Sequence, residues 1–228
     1  MKPLHIVIGD SRVRYIKQFE IPFDDGVSYQ TVYYWKSGAR IADLDCFIPD
    51  IIQTFGRNRE LLITLCCGIN NITKRITNGN GEKEVIRDTS LRHETDSIAN
   101  KIWAQLESLR DRYSEEFQNS VVTISTIAPI NLPRYSEFQI SVGKLSESDY
   151  TEDELTEQSL NILDDLVEIN KRIKAENGDK KTVFFHSNCV VHKRQKWRFL
   201  PSALYDGLHI TDQTALTWYN RLHQCAAH

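Results

Sequence analysis

No apolar run in the sequence comes near the ~18 residues needed to cross a bilayer, so nothing in it reads as a membrane span. The run Leu4 to Ile8 is too short for the core of a secretory leader and passes straight into Gly9-Asp10-Ser11. An intracellular, cytoplasmic protein is the expectation. A disulfide framework is also missing. The five cysteines, Cys46, Cys66, Cys67, Cys189 and Cys225, are odd in number, irregularly spaced and in one place adjacent. They read as free thiols of a reducing compartment, with Cys66 and Cys67 buried in an apolar run. Without a C-x-x-C pair there is no basis for a structural zinc site, and no metal is expected. Nor does one sign of charge dominate. With 28 basic and 31 acidic residues the net charge is −3, which argues against whole-chain attraction to nucleic acid or anionic membranes and leaves local patches open. Repeats, low-complexity tracts and domain linkers are lacking too. The 228 residues therefore read as one domain, 1–228, long enough to bury a substantial core.

What is present is an alternation of short apolar runs and helical periodicity. Leu4 to Ile8 reads as a buried strand, and Val13 to Phe19 as a short helix. Val27 to Trp35 is rich in β-branched and aromatic residues and reads as a second strand. Apolar residues from Ile41 to Phe55 then recur at helical spacing, and Leu61 to Cys67 is a third apolar run. Gly68 to Arg92 mixes glycine, asparagine and charge, and is expected to be a long loop. Glu94 to Phe117 is amphipathic, Ser120 to Ala128 a fourth strand, Leu155 to Ala175 a helix, Thr182 to His186 a fifth strand and Thr211 to Gln224 a closing helix. The stretch through Asp153 is polar and acidic. Strands that are apolar throughout are covered on both faces. The expectation is an α/β fold, a three-layer α/β/α sandwich around a central parallel sheet of about five strands.

In such sheets ligands bind beyond the carboxyl ends of the strands. Four segments can reach that edge: Gly9-Asp10-Ser11, Ser37-Gly38, Gly68-Ile69-Asn70 and Asp206-Gly207-Leu208-His209. Together they hold what a serine hydrolase needs. Ser11 offers a hydroxyl on a tight turn, His209 an imidazole to take its proton, and Asp206 a carboxylate to orient that imidazole. The amides of Ser11 and Gly38, with the Asn70 side chain, can hold an oxyanion. Asp10 orients the turn.

This set, in this order, resembles the SGNH (GDSL-like) hydrolase superfamily along almost the whole chain. The resemblance rests on Gly9-Asp10-Ser11 after the first strand, Gly38 after the second, Gly68-Ile69-Asn70 after the third and Asp206-Gly207-Leu208-His209 near the C-terminus. It implies a flavodoxin-like sandwich and hydrolysis of carboxylic esters or thioesters, O-acetyl carbohydrates and lipid esters included, with no metal or organic cofactor. Two features depart from the family pattern: Asn71 stands where Asp usually follows Gly-x-Asn, and Arg12-Val13-Arg14 follows the serine. The arginine after the serine gives a looser likeness to the SGNH-like esterase domains of some animal retrotransposon proteins.

Each residue also has a plainer reading. Ser11 can be only a helix cap, Asp206 a turn former, Asn70 and Asn71 turn residues, and His209 one surface histidine among seven. His5 reads as strand filler. His186 and His192 are alternative bases near the fifth strand. Arg12 and Arg14 are either substrate contacts for an anion or solvated cations at a helix start. The run His192-Lys193-Arg194-Gln195-Lys196-Trp197-Arg198 offers Lys193, Arg194, Lys196 and Trp197 for an anionic substrate or nucleic acid, against the reading of a solvated loop. The competing function is a binding module for RNA or protein built on the same fold.

Overall fold

The computed structural model describes residues 4–19, 30–91, 97–178, 181–193 and 196–226. Its centre is a parallel sheet of β1 (Leu4–Gly9), β2 (Gln30–Trp35), β3 (Leu61–Cys66) and β6 (Val121–Ile124), in the order β2-β1-β3-β6. The expected α/β/α sandwich is what forms. Every residue of β1 is buried, because helices cover both faces. Leu4, Ile6 and Ile8 point into one half of the core, with α2 (Ile48–Phe55), α4 (Ile98–Glu116) and α6 (Glu152–Asn177). Val7 points into the other half, with α1 (Ser11–Lys17) and α7 (Asp212–Ala226). His5 shares this second face, where its Nε2 lies 2.9 Å from the Thr64 hydroxyl, and fills the strand as expected.

Register decides where the site lies. Gly9 of β1 pairs with Trp35 of β2 on one side and with Cys66 of β3 on the other. Three strands thus end level, and the chain leaves β1 in one direction for β2, then crosses back to β3 and on to β6 in the other. That is the topological switch point at which open α/β sheets bind ligands. Gly9 permits the crowding there, since a Cβ on it would lie 2.2 Å from the Cys66 carbonyl oxygen.

Several expectations change. The sheet has four strands among the described residues. Thr182–His186 runs past the end of β6 without joining the ladder, because the Thr126 hydroxyl takes the Phe185 amide (2.7 Å) and the Thr126 amide takes the Val183 carbonyl (3.0 Å). Gly68 to Leu91 is no long loop, and Arg92 lies outside the described residues. A short helix, α3 (Ile69–Ile72), leads into an antiparallel hairpin of β4 (Thr73–Thr77) and β5 (Lys83–Arg87). The polar stretch before α6 contains α5 (Leu132–Ser141), capped by the Asn131 side chain. The described parts of the basic run pair antiparallel, as β7 (Val190–Lys193) and β8 (Lys196–Phe199). Val27 to Tyr29 of the expected second strand lie outside the described residues. No disulfide forms among the cysteines; Cys66, Cys67 and Cys189 are buried and Cys46 is exposed. No helix among the described residues is long and apolar enough to cross a membrane.

Candidate active site

Ser11 opens α1, directly after β1. Asp10 is the N-cap: its Oδ1 accepts the Arg12 amide at 2.9 Å, and its own amide donates to the Cys66 carbonyl at 3.3 Å. The turn is thereby tied to β3. Asp10 is buried, and burial pushes its pKa up, opposed by the Arg12 cation, the amide hydrogen bond and His209. It orients the turn, as expected.

Asp206 and His209 stand opposite, on the turn before α7. Asp206 Oδ2 lies 2.7 Å from His209 Nδ1, and Oδ1 accepts the amides of Leu208 (2.9 Å) and His209 (2.6 Å). Burial raises the Asp206 pKa, yet the hydrogen bonds from the His209 ring and amide, the charge on that ring and the Leu208 amide outweigh it. The carboxyl is held below its ordinary range. An ionised carboxylate only accepts, so Nδ1 is the donor of this pair, and in the neutral ring Nε2 is then the acceptor. The ring is further held by aromatic neighbours. Tyr15 lies 5.3 Å away and Tyr205 6.0 Å away, centroid to centroid, and the two tyrosine hydroxyls meet at 3.0 Å.

Gly207 explains the shape of this turn. Its φ is +86°, and a Cβ would lie 2.4 Å from the Asn131 carbonyl oxygen and 2.5 Å from the Tyr135 amide nitrogen. The Asn131 amide donates to the Gly207 carbonyl at 2.8 Å. The start of α5 is therefore the wall against which the Asp206 turn is built.

Arg12 corrects a sequence expectation. It is 6% exposed and faces inward rather than toward a substrate. Its guanidinium donates to the carbonyls of Ala128 (2.7 Å), Pro129 (2.9 Å) and Leu208 (3.2 Å). It clamps the start of α1, the segment after β6 and the turn before α7 together. Asn71 is likewise occupied: Oδ1 accepts the Ile41 amide (2.9 Å) and Nδ2 donates to Gln105 (2.7 Å).

Ser11, Asp206 and His209 line one cavity of about 560 Å³, with Arg14, Tyr15, Trp35 and the β4–β5 hairpin around them. The structure draws no hydrogen bond between the Ser11 hydroxyl and the His209 ring, a contact that often tightens only around substrate. The three expected oxyanion donors stand on the segments that follow β1, β2 and β3; of the three, Ser11 lines the cavity and Gly38 and Asn70 lie outside its lining. Asn70 Nδ2 donates to the Ala39 carbonyl at 3.0 Å, tying α3 to the segment that holds Gly38. Its second N–H is free for another acceptor. The Ser11 and Gly38 amides donate to no acceptor among the described residues.

The alternative bases lie elsewhere. His186 and His192 do not line this cavity, and His192 packs on Trp197 at 4.7 Å. Trp197 lines a second groove, between α5, α6 and β8, that shares Phe138 and Tyr205 with the first. Lys193 is exposed on β7 and does not line the Ser11 cavity, Lys196 is on β8, and Arg194 lies outside the described residues. No group of three potential metal ligands occurs among the described residues.

Sequence reasoning missed other residues that line the cavity with Ser11, Asp206 and His209: Tyr15, Tyr205, Arg75 and Lys83. One signal for the hairpin was present. Asn78-Gly79 and Asn80-Gly81 sit between Arg75-Ile76-Thr77 and Glu84-Val85-Ile86, a turn between two alternating runs.

No protein-family model matches the chain, and no curated protein does. Solved structures match in fold. A member of the lipolytic protein G-D-S-L family from Veillonella parvula superposes with a TM-score of 0.51 at 13% identity, covering 96% of this chain and 94% of that one. A lipase/acylhydrolase from Enterococcus faecalis gives 0.53 at 11% identity, over 97% and 93%. LAE5, described as an alpha/beta hydrolase enzyme from the metagenome of Lake Arreo, Spain, gives 0.52 at 13%, over 99% and 97%. The fold is that of the GDSL/SGNH hydrolases.

Proposed function

We propose that the protein is a serine hydrolase of carboxylic esters, with Ser11 as nucleophile, His209 as general base and acid, and Asp206 as the group that orients His209. The observation that carries this reading is the 2.7 Å Asp206–His209 pair at the rim of the cavity that Ser11 also lines. The pair fixes the Nδ1–H tautomer, so Nε2 can accept a proton.

The Ser11 oxygen attacks the ester carbonyl as its proton passes to Nε2. The oxyanion forms against the amides of Ser11 and Gly38 and the free N–H of Asn70. The carbon–oxygen bond to the alcohol breaks, and the imidazolium returns the proton to the leaving oxygen. Water then attacks the acyl-serine by the same proton route, releasing the acid and restoring Ser11. Arg12 and Asp10 act by positioning. The fold of the lipolytic neighbours supports an ester substrate, while fold by itself does not choose one.

A fluorophosphonate probe tests this directly. One adduct at Ser11, found by mass spectrometry of the peptide and absent from His209→Ala, is the expected result. Labelling indifferent to His209, or none on the folded protein, would sink the reading. In the latter case the module reading returns, to be tested by RNA titration against salt.

A further inference from the structure

The walls of the Ser11 cavity are unevenly charged. The chain as a whole carries slightly more acid than base, yet the cavity is lined by Arg14, Arg75, Lys83 and Lys144 against the single carboxylate of Asp206, which is engaged by His209. Among the described residues no carboxylate pairs with any of these four cations. They come from separate segments: Arg14 from α1, Arg75 from β4, Lys83 from β5 and Lys144 from just beyond α5.

The scaffold holds them there. In the hairpin register Arg75 faces Val85 and Thr77 faces Lys83, which puts Arg75 and Lys83 on the same face. The opposite face carries Glu84 and Ile86, both buried. The hairpin tip is strapped to the segment after Lys144. Glu82 accepts the Ser146 amide (2.8 Å) and hydroxyl (2.9 Å), the Gly79 amide donates to Asp149 (2.9 Å), and Asn78 Nδ2 donates to the Glu147 carbonyl (3.1 Å). The two segments that supply Arg75, Lys83 and Lys144 are thus fixed to each other. Like charges gathered in a concave site repel one another and focus a positive potential, and an anion relieves both.

We propose that this cavity takes an ester bearing an anionic group, a carboxylate or a phosphate, which Arg14, Arg75, Lys83 and Lys144 hold while Ser11 faces the ester carbonyl. The inference rests on the hydrolase reading for its chemistry and on the cavity alone for its anion.

Two matched pairs of esters test it and tell which side of the ester carries the charge. For the acyl side, 4-nitrophenyl hemiglutarate is compared with 4-nitrophenyl pentanoate. For the alcohol side, 4-acetoxybenzoate is compared with 4-acetoxybenzamide. Each rate is corrected for uncatalysed hydrolysis. In one pair the anionic ester is expected to show at least about tenfold higher kcat/KM at low salt, a preference that shrinks at 0.5 M salt (roughly; Debye length of a few ångströms). Lys83→Glu and Lys144→Glu should each lower the anionic-to-neutral ratio by roughly three- to tenfold, the scale for an exposed charge at close range. Equal rates in both pairs, or variants that lower both esters in the same proportion, would overturn it. Calorimetry with inorganic phosphate on Ser11→Ala separates the two claims. Phosphate binding weakened by Lys83→Glu, with no ester turned over by the wild type, would retain the anion site and remove the hydrolase. Absence of both phosphate binding and anionic preference removes the anion site.

Discussion

Arg12 permits a sharp prediction, because its three hydrogen bonds hold together segments far apart in sequence. A lysine at this position keeps the charge and loses the planar fork. One ammonium cannot reproduce donors aimed at Ala128, Pro129 and Leu208 from three separate nitrogens. At least one buried carbonyl then goes unmet. A hydrogen bond from a charged donor is worth about 1.5–3 kcal/mol. In a protein of this size each kcal/mol moves Tm by roughly 2–4 °C, so Arg12→Lys should lower Tm by roughly 3–12 °C. Arg12→Ala leaves three carbonyls unpaired and should cost more than about 4 kcal/mol. The assay is thermal and urea unfolding followed by circular dichroism, beside hydrolysis of 4-nitrophenyl acetate. An Arg12→Lys protein within about 1 °C of wild type, with selective loss of activity toward anionic esters, would refute the clamp and return Arg12 to the substrate side.

Gly207→Ala should cost about 1–3 kcal/mol in urea unfolding, since the added methyl meets backbone atoms of α5 at a positive φ; a neutral result would mean the turn relaxes freely. Asp206 and Asp10 should show opposite pH signatures. The folded pKa of Asp206 is depressed, so its contribution is present above the unfolded value and is lost as pH falls through the folded one. Asp206→Asn should therefore flatten the acid limb of the stability curve. Asp10 is raised, so its contribution is fullest below the unfolded value and fades as pH rises. Asp10→Asn, which keeps a cap, should gain on wild type from about pH 4 upward. Parallel curves in either comparison would contradict the assignment. In the folded protein Cys46 should alkylate first, because burial pushes Cys66 and Cys189 up to about 12; early labelling of Cys66, read by peptide mass, would argue against the core as drawn.

The layers were legible in the sequence because runs such as Leu4 to Ile8 and Leu61 to Cys67 are apolar without alternation, as only doubly covered strands are. Gly9-Asp10-Ser11, Ser37-Gly38 and Gly68-Ile69-Asn70 were legible as the segments that follow strands, whereas Asp206 to His209 precedes α7 and was legible only from its residue types and spacing. The walls of the cavity were not. Thr73 to Arg87 forms a hairpin whose outer face is charged and whose inner face is Glu84 and Ile86, so its composition resembles a loop. Val183 and Phe185 are apolar enough for a strand, but the Thr126 hydroxyl takes the place of a ladder partner. Arg12 looked like a solvated cation because its acceptors are backbone carbonyls 116, 117 and 196 residues away, which no local pattern reveals. Tyr15 was read only as part of a helix, although its place four residues after Ser11 puts both on one face of α1.

The measurement that bears most directly on the central claim is turnover of a 4-nitrophenyl acyl series, acetate to octanoate, by wild type and by Ser11→Ala of unchanged Tm. Ser11-dependent hydrolysis, with kcat reduced at least about 100-fold in the variant, is the predicted result. Turnover that survives in Ser11→Ala to within a few-fold of wild type would contradict it.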